Sequence, residues 1–150
     1  MTGTRMLQFL AIALTALVLI PSGAHFFELP NKIALPQDQY FVVQHIYNGW
    51  ALFGIPIFAA LAVDLVLAIA LYRQKIAFGL TVAAFVLLAL SLVLFFVWDF
   101  PANQATQNWT EVPANWETLR AHWEWTHALN AVLVFLSLLL VTLASLLTRE

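Results

Sequence analysis

The sequence predicts an all-α, polytopic membrane protein: a single domain over residues 1–150, folded as an antiparallel bundle of four transmembrane helices, with helices two and four extended on the outer side. Three observations predict it. Of the 150 residues, 63% are hydrophobic and only 9% are charged, against roughly 25% charged in soluble domains. Four apolar runs (6–24, 49–72 with Asp64 as its one charge, 76–98 and 128–147) approach or pass the about 18 residues that mark a candidate span. Finally, His25, His45, His122 and His127, with Glu28, Asp99 and Glu124 close by, all fall towards the same side of those runs.

The first helix should run over about residues 4–29, bent at Pro21 and stopped by Pro30, because a proline ring removes a backbone donor and crowds the carbonyl one turn back. The same segment also reads as a cleavable leader: Arg5, an apolar stretch, then Ser22-Gly23-Ala24. Cleavage would leave His25 with a terminal amine, a copper-binding arrangement, and an odd number of spans. The four-span reading is preferred. A loop over 30–36 follows, and Asp38 can cap the second helix. That helix, over about 39–74, would be about 54 Å long, against a hydrocarbon core of about 30 Å. It must project, tilt or break, with Gly49, Gly54 and Pro56 as break points. The third helix, 76–98, fits the bilayer and ends at Asp99-Phe100-Pro101. A polar loop over 102–113 leads to the fourth, which runs from near Asn115 to about Leu147.

Basic residues set the orientation. Arg5, Arg73, Lys75 and Arg149 lie on one side of the predicted spans and only Lys32 and Arg120 on the other, so both termini are expected in the cytoplasm. Trp98, Trp109, Trp116, Trp123 and Trp125 map to the outer face, where indole rings suit the headgroup zone. A net charge of −2 offers no footprint for nucleic acid, and the absence of Cys excludes disulfides and thiol chemistry.

Ionisable groups near a bilayer core are costly, so their clustering is a functional-site hypothesis. Residues three and four apart share a helix face. Ser22, His25 and Glu28 form one such set, Phe41, Gln44, His45 and Asn48 a second, and Arg120, Glu124, His127 and Asn130 a third. His122 is rotated from His127 by about 140°, and His127, which shares a face with Glu124, is taken as the inward one. The i, i+3 pairs His25/Glu28 and Glu124/His127 resemble half of a di-iron ligand set, but no Glu lies on helices two or three. One divalent transition metal on His25, Glu28, His45 and His127 is better supplied. A haem between His45 and His127 ranks below it. Against these stand plainer readings, with histidines bonding loop carbonyls and Glu117, Arg120 and Glu124 forming exposed pairs. Asp64, in the apolar half, is expected either protonated or paired with Thr81 or Ser91.

Pro101-Ala102-Asn103, Trp116-Glu-Thr-Leu119 and Arg120-Ala-His-Trp123-Glu-Trp-Thr-His127-Ala-Leu-Asn130, together with His25-Phe-Phe-Glu28-Leu-Pro30 and Gln44-His45-Ile-Tyr47, resemble the anthrone-oxygenase-like family of small four-helix membrane proteins. The resemblance covers most of the chain. It implies an integral membrane monooxygenase that oxidises a small lipophilic phenolic or polycyclic substrate near the outer membrane interface. It also implies roles: His127 as base, Glu124 orienting it, and Arg120 or Asn130 stabilising negative charge. Gln44, Tyr47, Asn48 and Trp123 are the expected substrate contacts. Fungal members tend to carry a basic residue one turn beyond His127, where this chain has Asn130. The other reading is an accessory membrane subunit, using the same polar cluster to dock a partner complex or to bind metal, haem or pigment. Membrane lipid and a small lipophilic ligand are the expected partners, with a homo-oligomer or larger membrane complex left open.

Overall fold

In the computed structural model, which describes residues 3–149, α1 (Gly3–Lys32) runs without interruption through both Pro21 and Pro30. The expected stop at Pro30 does not occur. Pro30 falls in the last turn, and the Ile33 amide still closes on the Leu29 carbonyl at 3.0 Å. The extra turn matters, because it places Lys32 one turn beyond Glu28 on the stripe that carries His25.

α2 (Gln37–Gln44) starts after Pro36. Asp38 sits in its first turn without forming the expected side-chain cap, although its charge still suits a helix N-terminus. The second predicted helix is not one rod. α2 ends in a 3-10 turn, His45–Tyr47; Gly49 then adopts φ +87°, and a second 3-10 turn, Trp50–Phe53, leads into α3 (Gly54–Ala70). Of the three expected break points Gly49 takes the left-handed conformation, which a glycine adopts without steric cost.

A tight turn over 71–74 joins α3 to α4 (Lys75–Leu94). The third span does not end at Asp99. It passes through one π-type turn, Phe95–Asp99, into α5 (Phe100–Ala105), where Pro101, which has no amide proton to donate, occupies the first turn. The wider turn changes which residues face inward, and Asp99 is fully buried. Gln107, Asn108 and Trp109 follow with φ of 46°, 55° and 65°, reversing the chain so that Trp109 packs inward. α6 (Trp116–Leu147) completes the fold.

The four spans form a ring. α6 packs on α1 and α4, and α3 packs on the same two from the opposite side. Neighbours are antiparallel: Gln8 of α1 donates to Thr148 after α6, and Ser137 of α6 donates to the Ala84 carbonyl of α4. Gln74 also meets Arg149, so the α3–α4 turn, the start of α1 and the end of α6 share one end, the turn end. The polar connections share the other, the loop end.

Two apolar clusters fill the lower bundle. One contains Ala11, Leu67, Leu71, Ala77, Ala84, Val141 and Ala144; the other contains Val18, Ala60, Leu88 and Val134. A third, at the loop end, is aromatic, with Tyr40, Phe41, Trp109 and Trp123 around Ala102. Large apolar side chains cover the outside as well, among them Ile20, Phe27, Ile55, Ile76 and Leu146 at 65–78% exposure. Soluble proteins rarely expose apolar patches beyond a few hundred Å². With four helices long and apolar enough to cross a bilayer, this is an integral membrane protein whose outer faces contact lipid. All six tryptophans lie at the loop end and divide: Trp98 and Trp125 are exposed, Trp50 and Trp116 half-buried, and Trp109 and Trp123 are core residues.

Candidate functional site

Lys32 sits at the centre of the loop end, 3% exposed. Its Nζ donates to Tyr47 OH at 2.7 Å and lies 3.3 Å from Glu28 Oε1 and 3.1 Å from Glu124 Oε1. The same ammonium stands 4.2 Å from the Tyr47 ring centre and 4.4 Å from that of Trp123. A buried charge persists only when paired and hydrogen-bonded, and here both conditions are met. Tyr47 OH donates to Glu28, Tyr40 OH donates to Glu124 Oε1 at 2.8 Å, and Gln44 Nε2 donates to Tyr40 OH at 2.6 Å. Burial, reinforced by Glu124, pushes the Tyr40 hydroxyl far above the usual phenol range; burial, reinforced by the Glu28 hydrogen bond, does the same to Tyr47.

Beside this network the imidazoles of His25 and His127 stack, ring centres 4.2 Å apart and planes 26° from parallel. His25 Nδ1 meets Glu28 Oε1 at 2.8 Å; a carboxylate only accepts, so that nitrogen carries the proton. His127 Nε2 faces Asp99 Oδ2 at 3.7 Å, and Asn130 Nδ2 donates to the same oxygen at 3.4 Å. The Trp123 ring packs against both histidines, and Trp50 closes on His25. Four buried oxygens here lack a donor: Gln44 Oε1, Glu124 Oε2, Asp99 Oδ1 and Asn130 Oδ1. All four are acceptors, so the site is chemically matched to a ligand that donates hydrogen bonds.

An open cleft of about 590 Å³ lies at the same end of the bundle, walled by Ala51, Phe95 and Phe100 on its apolar side and by Asn103, Gln104, Gln107 and Asn108 on its polar side; neither histidine lines it. Phe95 also makes an edge contact with His127. Asn103 Oδ1 accepts from the indoles of both Trp109 and Trp123 at 3.0 Å. No protein-family model, curated protein or solved structure matches this chain.

The structure joins some of the sequence-predicted residues and separates others. His25, Glu28, Gln44, Tyr47, Trp123, Glu124, His127 and Asn130 belong to one polar cluster. His45 does not: its side chain is exposed on the turn after α2, so the ligand set His25, Glu28, His45 and His127 does not assemble. Among the described residues no group of three or more His, Asp or Glu side chains is placed to hold a metal ion. Asn48 is exposed beside Gly49. Arg120 lies one turn above Glu124, where it donates to the Leu35 carbonyl at 2.9 Å and stacks over Trp116; it secures the loop before α2 rather than facing the histidines. Glu124 is turned to Lys32 and Tyr40, and Asp99 takes the place beside His127 that Glu124 was expected to fill.

Lys32, Tyr40, Trp50 and Asn103 were missing from the sequence-based site. Lys32 was legible in principle, since Glu28 and Lys32 are four apart on one face, but an expected helix end at Pro30 removed it. The inward turn of Asp99 had no such signal, because it depends on the π-type turn.

Proposed function

We propose that this protein is an oxygenase-like membrane enzyme for a small lipophilic phenol, with His127 as the base that removes a proton from an activated carbon of the substrate. The observation that carries the reading is the stacked His25–His127 pair, linked to the cleft through Phe95, whose ring forms one wall of the cleft and meets His127 edge-on. The cleft combines apolar rings with side-chain amides, suiting a flat molecule with a few hydroxyl groups. Phenolic hydroxyls supply the donors that Asp99 Oδ1 and Asn130 Oδ1 lack.

In this reading a neutral imidazole accepts the carbon-bound proton, with the Asp99 carboxyl group 3.7 Å from its Nε2. The electron-rich carbanion reduces molecular oxygen, and the resulting hydroperoxide loses water to leave a ketone. The balance is one CH2 plus one O2 giving one C=O plus one H2O. The resemblance to the anthrone-oxygenase-like family supports this choice of substrate class. Orientation follows the basic residues: Arg73, Lys75 and Arg149 lie at the turn end, which is read as cytoplasmic, while Lys32 and Arg120 at the loop end are occupied in internal contacts.

The test is oxygen uptake by the nanodisc-reconstituted protein supplied with anthrone, measured against empty nanodiscs, with mass spectrometry of the product. Uptake should exceed the uncatalysed rate, and the product should carry one oxygen more and two hydrogens fewer. An analogue with its methylene carbon doubly methylated should be inert. A rate unchanged by His127→Ala would refute the assignment of the base.

A further inference from the structure

Asp64 lies midway along α3, 0% exposed, and neither of its carboxyl oxygens has a hydrogen-bond partner. It occupies the seam between the two apolar clusters of the lower bundle, with Ala60 on one side in one cluster and Leu67 on the other side in the second. Thr15 enters the same seam from α1, between Ala11 and Val18. Ser137 enters it from α6, between Val134 and Val141. Both are 0% exposed. Their hydroxyl protons are already committed, Thr15 to the Ala11 carbonyl and Ser137 to the Ala84 carbonyl. Neither expected partner of Asp64 reaches it: Thr81 donates to Ala77 and Ser91 to Leu88. What the hydroxyls have left is oxygen lone pairs, so acceptor oxygens lie in the same layer of the bundle as the carboxyl group.

Among the described residues no countercharge faces it. α1 carries no ionisable side chain between Arg5 and His25, α4 none from Lys75 to the Asp99 beyond its far end, and α6 none between His127 and Arg149. On α3 itself Asp64 is the one ionisable residue. Lys32, the buried cation of this protein's loop end, is held by Glu28 and Glu124. An isolated carboxylate in so apolar a setting does not remain a bare anion.

We propose that Asp64 is the binding site for one small monovalent cation, a proton or a sodium ion, at mid-depth in the bundle. Both supply the same chemistry, a single positive charge among oxygen donors. A proton turns Asp64 into a donor toward the hydroxyl layer, whereas sodium is ligated by carboxyl and hydroxyl oxygens. The site is separate from the histidine pair and does not depend on the function assigned there.

The experiment compares wild type with Asp64→Asn in nanodiscs, recording melting temperature along two axes: pH at constant ionic strength, and sodium chloride against choline chloride at constant pH. Infrared spectra are taken alongside, and Asp64→Ser is the second variant if the amide does not fold. Sodium binding predicts a melting temperature that rises with sodium but not choline in wild type and is flat in the variants. Proton binding predicts a melting temperature that falls towards alkaline pH more steeply in wild type than in the variants, with a protonated-carboxyl band that the variants lack. Variants that track wild type along both axes and retain every carboxyl band overturn the proposal.

Discussion

His25 and His127 come from opposite ends of the sequence and stack face to face, 4.2 Å between ring centres. Two like charges so close in a buried site repel strongly, so the stack disfavours charge on both rings at once. His25 Nδ1 is engaged by Glu28, whereas His127 Nε2 stands 3.7 Å from Asp99 Oδ2, beyond hydrogen-bond reach, and is the nitrogen open to a substrate.

Replacing His127 by Ala is therefore expected to lower anthrone oxidation by about 10²-fold or more, the usual contribution of a general base. Asp99→Asn should fall between that variant and wild type, since it keeps the shape and replaces the carboxyl group that faces His127 Nε2. His45→Ala and His122→Ala should leave the rate unchanged: both residues are exposed, and His122 packs against Trp98 on the lipid side. Loss of oxygen uptake in His122→Ala with retention in His127→Ala would reverse the choice of inward face.

Lys32→Met should destabilise the fold by about 3–5 kcal/mol, the cost of removing one partner from a buried ion pair. Glu28 would keep only His25 and Tyr47 as partners and Glu124 only Tyr40, with no ammonium between the two carboxyl groups. Adding Glu124→Gln to that variant should recover part of the loss. Denaturant titration in detergent reads both values, and a Lys32→Met protein as stable as wild type would remove the lysine from the centre of the network.

Tyr40 and Tyr47 hold their protons in the folded state far above the phenol reference of 10.0. Above that pH the folded chain binds more protons than the unfolded one, so folding stability falls as pH rises. In a Tyr72→Phe background these two are the remaining tyrosines. Phenolate absorbance should then appear together with loss of helical circular dichroism, not before it. Absorbance at ordinary phenol pH with the helices intact would contradict the buried network.

Gly49→Ala should cost about 1–2 kcal/mol, the penalty for a side chain in left-handed backbone. Nothing lies within 4 Å of an added Cβ there, so the cost is conformational rather than steric. Gly49→Asn should cost less, because Asn tolerates this region. Equal melting temperatures for all three would show that the break between α2 and α3 is not pinned by this residue.

The chain has no cysteine, so single-cysteine labelling reads the topology directly. Glu111→Cys should react with an impermeant maleimide applied to intact cells, and Lys75→Cys should react only after the membrane is opened. The reverse pattern would invert the orientation.

Read alone, the sequence determines the four spans, their approximate limits and the gathering of polar residues at one end of the bundle. Those properties are local: apolar run length is a property of neighbours in the chain, and so is the i, i+3 spacing that puts His25 with Glu28 and Glu124 with His127. Which carboxylate meets which cation was decided only by tertiary structure. Glu124 shares a helix face with His127 yet is turned to Lys32 and to Tyr40, 84 residues away. Asp99, on another helix, stands beside His127 instead. Such pairings depend on how far each helix is rotated and slid against its neighbours. One passage through Pro30, one left-handed Gly49 and one π-type turn before Phe100 reset that rotation and register, and with them every contact across the site.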